Sequence, residues 1–114
     1  MAAQEHLRVE LRRESDRVVM ALSGELDLAS APLFQRQLDR AEIHSAPMLV
    51  LDLEDLEFID STGLRIVLSA RAGARERGQE FAVTPGSQQV QRLLNMTRVS
   101  EHLRIIEPPG EMLV

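Results

Sequence analysis

The chain contains no cysteine, tryptophan, tyrosine or lysine among its 114 residues. Without cysteine it has no disulfide framework, no thiolate metal site and no thiol nucleophile. Without lysine it has no Schiff-base chemistry and no lysine-bearing phosphate loop. The three aromatic residues, Phe34, Phe58 and Phe81, stand in apolar surroundings. We therefore predict that they belong to the core and that no base-stacking platform for nucleic acid exists.

The sequence also lacks a basic stripe and a long apolar run. Its formal net charge is −5 and its 13 basic residues are all arginine, which argues against nucleic acid as a partner. No apolar run approaches the roughly 18 residues of a membrane span, and the N-terminus lacks the basic and apolar regions of a signal peptide. We expect a cytoplasmic protein that binds neither nucleic acid nor membrane.

The first half of the chain predicts a hairpin followed by a helix. Apolar and charged residues alternate over residues 7–13, and a more apolar run follows at 17–23, so two antiparallel strands are predicted. The strand is expected to end within Gly24-Glu25-Leu26-Asp27. Ser30-Ala31-Pro32 has the order of a helix start and should begin a helix that runs to about Ile43.

The second half alternates strand and helix. Met48–Leu51 has the length and composition of a buried strand, and the acids from Asp52 onward are expected to form a solvated loop. A helix is predicted from about Ser61 to Arg77, with Gly78 after its end. The remaining predicted elements are, in order, a strand at 81–83, a helix capped by Ser87 and ending near Asn95, a single turn at 100–103 and an edge strand at 104–106.

This order of elements predicts an α/β fold. Alternating strands and helices favour parallel crossovers, so we expect a mixed β-sheet of four or five strands with amphipathic helices packed mainly on one face. The length suits one domain that spans residues 1–114. Its core should cover about 7–106, and 107–114 should form a flexible tail.

A segment with two hydroxyl residues at a predicted helix start is the main candidate for a functional site. Five acids precede Ser61 and Thr62: Asp52, Glu54, Asp55, Glu57 and Asp60. The simplest role of Ser61 is to cap the helix, which would contribute ~1 kcal/mol. The same helix end would also tolerate a phosphate on the hydroxyl, because the positive end of the helix dipole faces it. Gly63 costs ~1 kcal/mol against alanine in a helix, and we interpret it as room for a partner.

Catalytic and metal-binding interpretations fit this segment less well. Ser61 follows Asp60 and does not stand in the Gly-x-Ser-x-Gly order of a nucleophile elbow. The three histidines have no aspartate partner in a known triad order, and His6, His44 and His102 are expected on the surface. The acids lack the spacing of a calcium-binding loop. We therefore expect no catalytic residue, no metal and no cofactor.

Three segments resemble the STAS domain family, specifically the small stand-alone anti-sigma factor antagonists of bacteria. They are Gly24-Glu25-Leu26-Asp27, the signature from Leu53 to Leu64, and the late helix from Val90 to Thr97. The resemblance covers about residues 7–106. It implies a STAS-like fold and a protein-binding function rather than an enzymatic one.

The resemblance also implies a phosphorylation switch. Ser61 would accept a phosphate from a partner that is both anti-sigma factor and serine kinase, with Thr62 as the second choice. The unphosphorylated form would bind this partner and free a sigma factor, the phosphorylated form would let go, and a PP2C-type phosphatase would reset the cycle. The implied partner-binding residues are Asp27, Asp60, Ser61, Thr62, Gly63, Leu64 and Arg65. Arg65 departs from the glycine that many antagonists have there and makes the first helical turn bulkier and more positive.

A second hypothesis remains open at this point. STAS domains also serve, some without phosphorylation, as scaffold or regulatory subunits of transport and stress-sensing assemblies. The short length and the intact Asp-Ser-Thr-Gly order favour the antagonist. Self-association is left open by the sequence.

Overall fold

The structure, a computed structural model, describes residues 6–108 and shows four strands and four α-helices in that range. The strands are β1 (Leu7–Glu14), β2 (Arg17–Leu26), β3 (Met48–Ile59) and β4 (Glu80–Val83). The helices are α1 (Ala31–Leu38), α2 (Ala41–Ser45), α3 (Ser61–Glu76) and α4 (Gln88–Met96), followed by a 3₁₀ turn at Val99–His102. Within this part of the chain, no helix combines the length and the apolar character needed to cross a bilayer.

The strands form one mixed sheet in the order β1-β2-β3-β4. β1 and β2 are antiparallel, whereas β3 is parallel to both β2 and β4, so the predicted hairpin and the mixed sheet are confirmed. The predicted edge strand at 104–106 is reduced to a single bridge between Val83 and Ile105. Pro108 follows closely and has no N–H with which to extend a ladder. Residues 109–114 of the predicted tail lie outside the described range.

The helices pack against one face of the sheet, as expected. On β2 every second residue from Val18 to Leu22 joins the core, namely Val18, Met20 and Leu22. Val19 and Val50 point the opposite way and are buried outside this cluster. The helices contribute Phe34, Leu38, Ile43, Leu64, Val67, Ala74, Val90 and Leu94 to the same core. The inward-facing strand residues and the apolar helix residues therefore form one apolar layer.

β3 is much longer than predicted and includes the acidic segment, which is therefore a strand and not a loop. Its pairing with β2 shifts register twice, because one extra residue of β3 bulges out each time. As a result the buried residues Leu53, Leu56 and Ile59 recur every third position and not every second. The bulges disrupt the period-2 pattern, and acidic residues are depleted in strands. The strand predicted from sequence periodicity was therefore too short.

The helix predicted to run to about Ile43 is in fact two short helices. α1 ends at Leu38, and Arg40 has an extended backbone with ψ of 145° that separates it from α2. Ser30 precedes α1 as predicted, but its side chain does not cap the helix. Its hydroxyl instead donates to the carbonyl of Glu25 at 2.9 Å and accepts from the N–H of Asp27 at 3.0 Å. Ser30 therefore shapes the loop that follows β2.

Polar contacts tie the middle of β3 to the loop after β4. Thr84 is fully buried, and its hydroxyl accepts the N–H of Leu53 at 2.8 Å. The carboxylate of Glu54 accepts the N–H of Gly86 at 2.7 Å. Ser87 then caps α4 as predicted, by accepting the N–H of Val90. The placement of α4 beside β3 depends on these bonds.

Replacement of Thr84 by valine should test this link. Thr84→Val keeps the shape of the side chain but leaves the buried N–H of Leu53 without a partner, so we expect a loss of ~1–3 kcal/mol in the free energy of unfolding. Thr97→Val is the matched control, because Thr97 is exposed and its hydroxyl bonds only within α4; it should change stability by less than ~0.5 kcal/mol. Urea unfolding measures both, and equal stability of the two variants would contradict the assignment.

Candidate functional site

The candidate site lies where β3 passes directly into α3. Asp60 is the N-cap of α3 and Ser61 its first residue. Asp60 has an extended backbone, with φ −109° and ψ −173°, and its Oδ1 accepts the N–H of Gly63 at 2.9 Å. The prediction that Ser61 caps the helix is therefore wrong by one position. Serine and aspartate are equally good caps, and the end of the preceding strand decides which of them has the required backbone conformation.

Asp60 also connects the site to the end of β2. Its second carboxylate oxygen accepts the N–H of Leu28 at 3.2 Å, and its own N–H donates to the carbonyl of Leu26 at 3.2 Å. One residue thus holds the start of α3 and the segment after β2 together. Two of the three segments that carry the family resemblance, those around Asp27 and around Ser61, consequently form one surface.

Ser61 and Arg65 are exposed on the first turns of α3, and Thr62 is half-buried. No hydrogen bond holds the hydroxyl of Ser61 within residues 6–108. Ser61 contributes nothing to capping, since Asp60 does this already. Its hydroxyl is therefore available to an incoming protein, and Thr62 is less accessible.

Gly63 and Leu64 lie underneath this surface. A Cβ on Gly63 would stand 2.7 Å from the carbonyl oxygen of Leu26 and 2.9 Å from Cγ1 of Ile59. Leu64 is only 5% exposed and belongs to the core. Both residues are among the implied partner-binding positions, and their burial places them beneath the exposed side chains of the site. Glycine is needed here because α3 begins in direct contact with the backbone of β2, which explains why its cost to the helix is tolerated.

Asp27 lies in the loop after β2. Its Oδ1 accepts the N–H of Ser30 at 3.1 Å and lies 3.2 Å from Nε2 of His6. Partial burial raises the pKa of Asp27, but the hydrogen bonds from Ser30 and His6 and the charge of His6 together outweigh it and lower the pKa below the usual 3.8. Asp27 is therefore a carboxylate at neutral pH.

His6, Glu25 and Asp27 form a cluster that the sequence analysis missed. Their three potential ligand atoms lie within 4.8 Å of one another, whereas the sequence analysis predicted no metal site and expected His6 as a surface residue. The antiparallel register causes this proximity: Leu7 lies opposite Gly24, and the carbonyl of His6 accepts the N–H of Glu25 at 2.7 Å. If the register of the predicted hairpin had been written out, it would have placed His6 beside Glu25. The hydrogen bond between His6 and Asp27 accounts for their contact.

Apolar side chains are exposed beside the site. Phe34 and Phe81 are buried as predicted, but Phe58 is 49% exposed because the second bulge of β3 turns it outward. Phe58 and the 73% exposed Met96 border a shallow groove of about 280 Å³ between β3 and α4. Leu28, whose N–H bonds Asp60, is 72% exposed. The site surface therefore combines negative charge with exposed apolar groups.

Comparison with protein families and curated proteins gives consistent matches. The family model described as "Mlab, STAS domain" matches residues 9–107. The anti-sigma F factor antagonist of Paenibacillus polymyxa is 32% identical over 93 residues, which cover 81% of this chain and 80% of that protein. The anti-sigma-B factor antagonist of Listeria monocytogenes is 28% identical over 108 residues, or 94% of this chain and 95% of that protein.

Solved structures share the fold. The crystal structure of an anti-sigma factor antagonist from Mycobacterium paratuberculosis has a TM-score of 0.80 at 22% identity, covering 97% of this chain and 92% of that one. The structure of the Bacillus cell fate determinant SpoIIAA in its phosphorylated form has a TM-score of 0.69 at 19% identity, covering 91% and 94%. These similarities confirm the expected α/β architecture.

Two glycines of α3 provide a test of the close approach at the site. Gly63→Ala should lower the free energy of unfolding by ~1–3 kcal/mol, because the added methyl group meets the backbone of Leu26. Gly73→Ala should be neutral or stabilise by up to ~1 kcal/mol, because alanine favours helices and the new methyl group meets only one guanidinium nitrogen of Arg77, at 3.3 Å, and no backbone atom outside its own helix. Urea unfolding of both variants measures the difference in their free energies of unfolding. A Gly63→Ala chain as stable as Gly73→Ala would contradict the packing described here.

The lowered pKa of Asp27 predicts a pH dependence. A carboxyl whose pKa is lower when folded stabilises the fold above its unfolded pKa, which is near 3.8, and this contribution is lost as the pH falls through the folded value. Wild type should therefore lose its stability advantage over Asp27→Asn as the pH drops below about 4. Urea unfolding between pH 7 and pH 3 measures the difference. Asp55→Asn, which removes a charge from an exposed position of β3, controls for net charge. If the free energies of unfolding of wild type and Asp27→Asn changed in parallel with pH, the contribution of Asp27 to stability would be refuted.

Proposed function

Because the chain belongs to the STAS domain family, we propose that it is an anti-sigma factor antagonist, which binds an anti-sigma factor and thereby frees a sigma factor. The observation that carries the proposal is the exposure of Ser61 as the first residue of α3, a helix start that Asp60 caps. The names and nearly full-length coverage of the Listeria and Paenibacillus relatives support it. The function is one of protein binding, without catalysis by the chain itself.

Phosphorylation of Ser61 is the proposed switch. An anti-sigma factor with serine kinase activity would transfer the γ-phosphoryl group of ATP to Oγ of Ser61, releasing ADP and the hydroxyl proton, and a PP2C-type phosphatase would remove the group by hydrolysis. Two observations support Ser61 over Thr62: Ser61 is exposed whereas Thr62 is half-buried, and the hydroxyl of Ser61 has no hydrogen bond to give up within the described residues. The phosphorylated SpoIIAA structure shows that a protein of this fold can carry the modification.

The effect of the phosphate should fall on the partner. The proposed contact surface consists of Asp27, Asp60, Ser61, Thr62 and Arg65, with the exposed Leu28 and Phe58 at its edge. Gly63 and Leu64 support it from below. The bonds of Asp60 hold the start of α3 in place, so we expect little backbone movement. A dianion added beside Asp60 would instead repel a partner that docks there in the unphosphorylated state.

A kinase assay tests the switch. Incubation with candidate anti-sigma kinases and ATP, followed by mass mapping, should place the phosphate on Ser61, lose it in Ser61→Ala and retain it in Thr62→Val. Ser61→Ala should stay within ~0.5 kcal/mol of wild-type stability, because Asp60 is the cap. Ser61→Asp should bind the anti-sigma factor at least about tenfold more weakly.

The outcomes separate the two parts of the proposal. Binding to an anti-sigma factor without phosphorylation, and unaffected by Ser61→Asp, would support the antagonist but contradict the switch. Failure to bind any anti-sigma factor would favour the scaffold interpretation. Circular dichroism of Ser61→Asp should match wild type, and a broad change in its spectrum would contradict the expectation of a fixed backbone.

A further inference from the structure

Arg65 lies one helical turn after Ser61 and has no assigned role in the fold. Within residues 6–108 its side chain is exposed and takes part in no ion pair, whereas five other arginines do: Arg12, Arg17, Arg40, Arg98 and Arg104. Its removal should therefore leave the packing of the domain intact. The question is what a free guanidinium does at this position.

The helix brings the two side chains to the same face. Residues four apart on a helix are neighbours, with their Cβ atoms about 5–6 Å apart. Helical side chains lean toward the N-terminus, so the side chain of Arg65 is long enough and suitably placed to reach back over the turn that carries Ser61. An anion four residues before a cation is also the favourable order of such a pair. The position of Arg65 thus suits a negative charge on Ser61.

The order of charges along the chain favours Arg65 as the partner of such an anion. No basic residue occurs between Asp52 and Leu64, and the exposed Asp55 and Glu57 precede the site on β3. A phosphate on Ser61 would adjoin the carboxylate of Asp60. Arg65 is the first cation along the chain after this acidic run, and its planar guanidinium can form two parallel bonds to phosphate oxygens.

We propose that Arg65 is the intramolecular counter-ion of a phosphate on Ser61. This inference rests on the proposed phosphorylation of Ser61. In the unphosphorylated chain the guanidinium is free to contact an acidic or carbonyl group of the partner. After phosphorylation it turns to its own helix and pairs with the phosphate. The modification then acts twice, by adding negative charge to the surface and by withdrawing a cation that the partner would use.

The titration of the phosphate measures the pair directly. Full-length chain with phosphoserine installed at position 61 by genetic-code expansion gives a sample that needs no kinase. Its ³¹P chemical shift, followed from pH 4 to pH 8, reports the second ionisation, whose pKa is near 6 in a free phosphoserine. In wild type this pKa should lie about half a unit below that of Arg65→Ala, the shift expected from a unit charge some 5 Å away across water.

A second arginine of α3 serves as the matched control. Arg75 is exposed on the same helix, ten residues and therefore about 15 Å further along the axis, so Arg75→Ala removes the same charge at a distance. It should titrate like wild type, and 1 M NaCl should shrink the difference between wild type and Arg65→Ala. Equal pKa values for wild type and Arg65→Ala at low salt, or equal shifts in Arg65→Ala and Arg75→Ala, would overturn the proposal.

The experiment is independent of the proposed function. If no kinase phosphorylates Ser61, the kinase assay fails while this titration still reports whether the pair forms. If the kinase assay succeeds and the titration shows no effect of Arg65, the switch stands and the counter-ion is refuted. Circular dichroism of Arg65→Ala before titration establishes that the variant is folded.

Discussion

The site depends on how the carboxylate of Asp60 is shared. One oxygen binds the N–H of Gly63 and the other that of Leu28, so the start of α3 and the segment after β2 are fixed to each other. The absence of a side chain on Gly63 allows α3 to come this close, because any Cβ there would strike the carbonyl of Leu26. The helix cap by Asp60 and the close packing of Gly63 against Leu26 both fix the start of α3. Ser61 therefore has a fixed position, and its hydroxyl makes no hydrogen bond within the described residues. The proposed phosphate on Ser61 would therefore change the surface charge without requiring a change of backbone shape.

The acidic run before Ser61 is not a uniform negative surface. Asp52 and Glu54 face the loop after β4, where they lie beside Thr84 and Gly86, and Asp60 serves as the cap. The exposed charge on this strand comes from Asp55 and Glu57, to which the loop after β2 adds Asp27, kept ionised by its hydrogen bonds. The surface thus combines a moderate negative charge with apolar neighbours. Arg65 is the one residue of the proposed contact surface that carries the opposite sign.

Much of the fold follows from local pattern. The alternation in β1, the apolar β2, the ends of α3 and the cap by Ser87 were all predicted, because each rests on residues that are neighbours in sequence. The errors have a common cause. β3 continues through two bulges, which disrupt the alternation, and Phe58 turns outward with them. The division between α1 and α2 at Arg40 likewise follows from a single extended residue, which propensities do not single out.

The sequence by itself determined which chemistries are absent, placed two hydroxyls at the start of a helix and carried the resemblance to the STAS family. Only the tertiary structure decided which of the residues around those hydroxyls are exposed. Ser61 and Arg65 face outward, while Gly63 and Leu64, adjacent in sequence, face inward against β2. It also brought His6 beside Asp27, 21 residues away. The physical reason is that exposure and long-range contact depend on strand register and on the close approach of elements, and these are set by packing between segments that no short stretch of sequence contains.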